Sequence, residues 1–178
     1  MNKDQKVLDI ALLMSYYILA GDANVLAHLR KVQRMSKYAT FEKQFEEIID
    51  WVNSKGFEVS LETDAEDRVE WADKTIYINS RNHVENRYYT LLHECGHMMI
   101  AQSWRDFDRD HPMYACSSDG RNARSKAYKV STVAEELEAW KRGRRLARRL
   151  QHHVNEENYD AHVTKNVMSY IEWAAGVL

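Results

Sequence analysis

His93, Glu94 and His97 are the residues whose types and spacing could do chemistry. With Cys95 and Gly96 between them they read His-Glu-x-x-His. On a helix, positions i and i+4 share a face, so the two imidazoles aim at one point. That arrangement suits a zinc ion, and Glu94 stands where it could hold the water such a metal activates. The chemistry predicted is metal-assisted hydrolysis. The plainer alternative is a helix with two ordinary histidines, and the rest of the chain has to decide.

A catalytic zinc usually takes three protein ligands and keeps one position open. A histidine six residues beyond His97 is excluded, because that position is Ser103 and the accompanying glycine is missing. Glu135, Glu136 and Glu138 offer carboxylates on a later helix, separated by about 100° per residue. Glu136 shares its face with Ala139, Trp140 and Gly143, two of them small enough for close helix approach. Glu138 falls with Arg142 and Arg145 on a solvated face, and Glu135 is intermediate. His111, in a charged loop, is a further candidate. Glu136 is the preferred third ligand, with Glu135 and His111 left open. Tyr128, Tyr114 and His111 are candidates to stabilise an oxyanion.

These groups need elements to position them. Apolar stripes predict helices over about Asp4–Ala20, Asn24–Met35 and Phe41–Asn53, the last capped by Thr40. After Gly56 the period changes to two. Phe57, Val59 and Leu61 alternate with polar residues, Val69 and Trp71 mark a second strand, and Thr75–Asn79 a third. A small antiparallel sheet is expected there, directly before a motif helix from about Val84 to Ser103. A long polar connection, Trp104 to Val130, should lie beside the metal. Ser131 or Thr132 would cap the next helix, and Asn155 a last one bearing Tyr159, Val163, Val167, Ile171 and Trp173. The fold class expected is α+β and mainly helical, with an N-terminal helical segment over residues 1–55 and the motif-bearing domain over residues 56–178.

The chain has 178 residues, 44% hydrophobic and 29% charged, with one proline and six glycines. That composition suits a globular chain with few long flexible linkers. A formal charge of -2 gives no overall bias toward polyanions. Two cysteines, Cys95 and Cys116, without framework spacing predict a reducing compartment. No leader pattern is visible, and the apolar stretch Ile10–Ala20 is too short to span a bilayer. A cytoplasmic protein without membrane insertion is expected.

The strand Ile76-Tyr77-Ile78-Asn79-Ser80, followed by Tyr89-Thr90-Leu91-Leu92-His93-Glu94-Cys95-Gly96-His97, resembles the core of the ImmA/IrrE-type metallopeptidases. Glu136-Leu137-Glu138-Ala139-Trp140-Lys141-Arg142-Gly143 is similar to their later helix, whose first glutamate is taken as the third zinc ligand. The resemblance covers roughly residues 57–150. It implies a zincin-like domain, bound zinc and cleavage of a protein substrate such as a regulator or repressor, often in a phage or mobile-element setting. Trp140 and Arg142 depart from the family's Asn and Phe. SprT-like proteases also resemble the region, through Arg109-Asp110-His111-Pro112.

Two other classes stand beside the peptidase. The basic run Lys141, Arg142, Arg144, Arg145, Arg148, Arg149 could make a regulatory module that contacts nucleic acid, with a structural or degenerate zinc site. The N-terminal helices could bind a protein partner, as in a phage assembly component. Of the other histidines, His83, His152, His153 and His162 are expected at helix ends or on exposed faces.

Overall fold

The computed structural model describes residues 23–64, 66–111 and 125–177. The helix predicted over Asp4–Ala20 lies outside them, as do Tyr114 and Cys116. The described residues form a mainly helical α+β fold with a small three-stranded sheet. None of the described helices is long and apolar enough to cross a membrane.

Helix α1 runs unbroken over Ala23–Ser54, where two helices with a break before Phe41 were expected. No glycine or proline stands in that stretch, so nothing stops the ladder. Thr40 is no cap. Its Oγ1 donates back to the carbonyl of Ser36 at 3.0 Å, as a threonine inside a helix does. The chain divides into two compact units between Phe41 and Glu42, some way before the boundary expected near residue 55. The later part of α1 belongs with the second unit. There Phe45, Ile48 and Val52 are buried, and Glu42 pairs with Arg87 at 3.2 Å.

Strands β1 (Glu58–Glu62), β2 (Arg68–Glu70) and β3 (Thr75–Asn79) follow. Their order is β1-β3-β2, with β3 parallel to β1 and antiparallel to β2. The sheet is therefore mixed, not antiparallel throughout. β3 is the most apolar strand and takes the centre, burying Ile76 and Ile78. Two reversals of the chain, after β1 and after β2, bring β3 back to the direction of β1. β2, three residues long with charged ends, is left as an edge. The carboxylate of Asp67 accepts from the amide of Asn79 at 2.6 Å, tying the entry of β2 to the end of β3.

Helix α2 (Val84–Gln102) begins at His83, whose Nδ1 accepts from the amide of Glu85. Short α3 (Trp104–Asp110) follows, inside what was expected to be an irregular connection. Its Phe107 packs with Ile100 and Ala139. Helix α4 (Lys126–Arg149) starts one turn or more earlier than expected, its cap at Ser125 and not at Ser131 or Thr132. Ser125 caps it, accepting from the amide of Tyr128 at 3.1 Å, while Thr132 donates back to the carbonyl of Tyr128. Helix α5 (Glu156–Ala175) is capped by Asn155, as its sequence predicts.

The α2–α4 crossing sets the geometry of everything that follows. A Cβ on Gly96 would overlap the backbone of Ala139, and one on Gly143 would overlap the carbonyl of Leu92. Glycine at these two positions lets the helix backbones touch.

Candidate metal centre

The contact of α2 with α4 brings His93, His97 and Glu136 together as a group that could hold a metal ion. Nε2 of His93 lies 3.2 Å from Nε2 of His97 and 3.2 Å from Oε2 of Glu136. Nε2 of His97 lies 3.7 Å from Oε1 of Glu136. Ligands at about 2.0–2.1 Å around a tetrahedral zinc are separated by about 3.3–3.4 Å along each edge. The three donors stand close to that spacing. Oε2 of Glu136 is buried and accepts no hydrogen bond from the protein, so an electron-rich oxygen is left for another partner. Two imidazoles and a carboxylate suit zinc.

Glu136 therefore occupies the place the helical rotation argument gave it, beside buried Ala139, Trp140 and Gly143. Glu135 also faces inward, and its Oε1 accepts from Nδ1 of His97 at 2.9 Å. That bond fixes the ring and leaves Nε2 to face the cluster. Glu138 points away and pairs with Arg142 and Arg145. His111 follows α3, its ring 4.5 Å from that of Phe107. It lines a separate depression with Leu137 and Lys141, not the cluster.

The electrostatics follow from burial and proximity. Burial works to raise the Glu136 carboxyl, and the two facing imidazoles outweigh it, holding it down to about 2. Burial would lower His97, but Glu135 and Glu136 raise it to about 10. For His93 burial wins and the imidazole is held below its ordinary value. Its ring stacks on Trp140, centroids 4.1 Å apart and 19° between planes. Glu94 is only 5% exposed. Burial, against the attraction of His97, pushes its carboxyl up to about 7. A group so poised both accepts and returns a proton near neutral pH. Cys95 is buried and free, and it does not join the cluster.

The cluster lies on a cleft of about 680 Å³. One wall is the edge strand, with Asp67, Arg68 and Val69, extended by Trp71. The facing wall is α5, with His162, Lys165, Asn166 and Tyr170. Sequence reasoning missed the α5 wall. His162 was expected at a helix end or on an exposed face, yet it stands within α5 and its ring lies 5.5 Å from that of Trp140 in the cleft. His152 stands at a helix end, as expected, just past the last turn of α4, but its side chain is buried between Tyr88 and Glu47. The signal was present as His162, Asn166 and Tyr170, a polar line at four-residue spacing beside the apolar stripe. Of the oxyanion candidates, Tyr128 packs edge-on against Trp173 and does not line the cleft. Tyr114 lies outside the described residues, and His111 is in the other depression.

The basic run on α4 has partners within the fold. Arg142 donates to the carbonyl of Met99 and to Oγ of Ser103, both at 2.6 Å. Arg144 pairs with Asp160 and Glu156, and Arg148 pairs with Glu156. No family model, no curated protein and no solved structure matches this chain.

Proposed function

We propose that the protein is a zinc-dependent metallopeptidase that cleaves a protein substrate. The observation that carries this reading is the convergence of His93, His97 and Glu136 at near-tetrahedral spacing, with buried Glu94 beside them on an open cleft. His93, His97 and Glu136 would hold the ion. Bound zinc acts as a Lewis acid toward water and toward the scissile carbonyl. Glu94 takes a proton from the attacking water and delivers it to the leaving amine. Its raised carboxyl serves both halves of that transfer. Glu135 holds His97 in the tautomer that offers Nε2.

The cleft supports a polypeptide substrate. The edge strand β2 forms one wall, and an extended chain pairs with such an edge through its backbone. The resemblance to ImmA/IrrE-type enzymes adds the substrate class, a regulator or repressor protein. Buried, free Cys95 is consistent with placing the protein in the cytoplasm. The nucleic-acid reading draws little support, because Arg142, Arg144, Arg145 and Arg148 face carboxylates of the same fold.

Metal analysis of untagged protein tests the reading, with β-casein as the cleavage probe. Wild type is expected to carry stoichiometric zinc, lost in His97→Ala and Glu136→Ala. Glu94→Gln should keep the zinc and lose cleavage. Zinc retained in Glu136→Ala, or cleavage retained in Glu94→Gln, overturns it.

A further inference from the structure

The two imidazoles of the cluster are held in different ways. Nδ1 of His97 donates to Oε1 of Glu135 at 2.9 Å, so a hydrogen bond sets that ring. Nδ1 of His93 is buried and meets no hydrogen-bond partner among the described residues. A histidine that binds a metal through one nitrogen usually donates its other N–H to a carboxylate, a carbonyl or water, and that bond fixes the ring. His93 has a face contact instead. Its ring lies on the indole of Trp140, centroids 4.1 Å apart and planes 19° from parallel.

Trp140 is itself held firmly. It is 4% exposed, and the Tyr159 hydroxyl donates to its backbone carbonyl at 2.9 Å. The rings of Tyr159 and His162 stand nearly perpendicular to the indole, at 5.8 Å and 5.5 Å. Nε1 of Trp140 is also buried without a hydrogen-bond partner among the described residues. Contact between ring faces, not hydrogen bonding, therefore fixes both planes of the stack. Trp140 stands four residues after Glu136 on α4, on one face with it. Helix α4 thus brings to the two histidines the carboxylate of Glu136, a carboxylate on His97 and an aromatic plate against His93.

We propose that Trp140 is a positioning residue for His93, its indole face holding the imidazole so that Nε2 stays turned toward His97 and Glu136. The proposal rests on the zinc site described above and not on peptide cleavage. A histidine on a helix has more than one staggered setting of χ1 and a broad, two-fold χ2. The setting held by the stack puts Nε2 3.2 Å from Nε2 of His97 and 3.2 Å from Oε2 of Glu136. A site whose ligand occupies its competent setting only part of the time binds more weakly by that fraction. Bonding to a cation also draws charge out of an imidazole, and an electron-poor group is attracted more strongly to an indole face. The stack therefore favours the metal-loaded protein over the metal-free one. Tryptophan has the strongest such face, phenylalanine a weaker one and leucine none.

The alternative is that Trp140 only fills space between α4 and α5. Wild type, Trp140→Phe and Trp140→Leu are compared in two readouts: zinc affinity by chelator competition, and the histidine ring-proton shifts in NMR spectra of the metal-free protein. Zinc affinity is expected to fall about tenfold in Trp140→Leu, with Trp140→Phe binding at least about threefold more tightly than Trp140→Leu. The ring protons of His93 should lie upfield in wild type, shielded by the indole face, and lose that displacement in Trp140→Leu. A zinc affinity in Trp140→Leu within about twofold of wild type overturns the proposal, as do equal affinities in the two variants. If Trp140→Leu does not fold, the wild-type spectrum still decides, because His93 ring protons without an upfield displacement rule out the stack. A wild type that binds no zinc removes the metal site and the positioning role together. Zinc affinities in the expected order with β-casein left intact would sink the peptidase reading and still support the role of Trp140.

Discussion

The Nδ1 of His97 donates to Oε1 of Glu135 at 2.9 Å, and this bond turns the opposite nitrogen of the ring toward His93 and Glu136. Glu135 thus orients one residue that could hold a metal ion, and it is next in sequence to another. Glu135→Ala is expected to lower zinc affinity about 10- to 100-fold while leaving the helical content unchanged. Chelator competition measures the affinity and circular dichroism the fold. An affinity equal to wild type would remove the orienting role.

The adjacency of Glu135 and Glu136 shows what a sequence does and does not disclose. Rotation about a helix axis separates the two by about 100°, and the small residues Ala139 and Gly143 mark the side that approaches another backbone. That was enough to choose Glu136. It was not enough to see that Glu135 also reaches the site, because the reach of a side chain at the margin of a face depends on the interhelical distance. The same limit hid the line of His162, Asn166 and Tyr170, whose place on the cleft depends on where α5 docks. The sheet was legible as three strands, but its order was not. Alternation identifies strands and faces, whereas strand order depends on which strand has both edges paired.

The glycines at the α2–α4 crossing give a second prediction. Added methyl groups at Gly96 or Gly143 would occupy space held by the backbones of Ala139 and Leu92, and backbone yields only by moving the helices apart. Gly143→Ala is expected to destabilise the protein by about 1–3 kcal/mol. It should also weaken zinc binding, although no ligand is altered, because Glu136 rides on the displaced helix. Urea unfolding and metal content together check this. A destabilised variant with full zinc affinity would mean that the crossing does not set the ligand spacing.

Metal removal should be felt as lost stability. Without an ion, the carboxylates of Glu94, Glu135 and Glu136 share one buried site with two imidazoles. Zinc at about 100 times its Kd would stabilise the fold by about 2.7 kcal/mol, equivalent to about 5–11 °C in Tm for a chain of this size. Differential scanning calorimetry with and without a chelator should show that shift in wild type and none in His97→Ala. An equal chelator response in both proteins would place the metal elsewhere.

A pH dependence is expected from His152, away from the cluster. Burial against Tyr88 lowers its imidazole below the ordinary value, and the attraction of Glu47 only partly opposes this. The unfolded chain then takes up the proton first as pH falls. The contribution of His152 is fully present above the unfolded value of about 6.5. It declines as pH falls below that value and levels off once folded His152 is protonated too. Urea midpoints measured between pH 7.5 and 5 should fall less steeply in His152→Gln than in wild type. Parallel slopes would contradict the assignment.

Arg142 distinguishes a structural basic helix from a polyanion-binding one. Its guanidinium donates to the carbonyl of Met99, to Oγ of Ser103 and to Glu138, so one side chain binds the C-terminal turn of α2 to α4. Arg142→Ala removes three charge-assisted hydrogen bonds at once, and it is expected to cost about 2–3 kcal/mol of stability. Arg142→Lys keeps the charge but loses the planar fork, and should recover less than half of that loss, about 1 kcal/mol. Chemical unfolding of both variants measures the structural role. Retention on a DNA column across a salt gradient measures the other, since phosphate contacts weaken steeply as salt rises. A structural helix predicts a lowered unfolding midpoint and unchanged elution. Wild-type stability with earlier elution in Arg142→Ala would instead assign the run to nucleic acid.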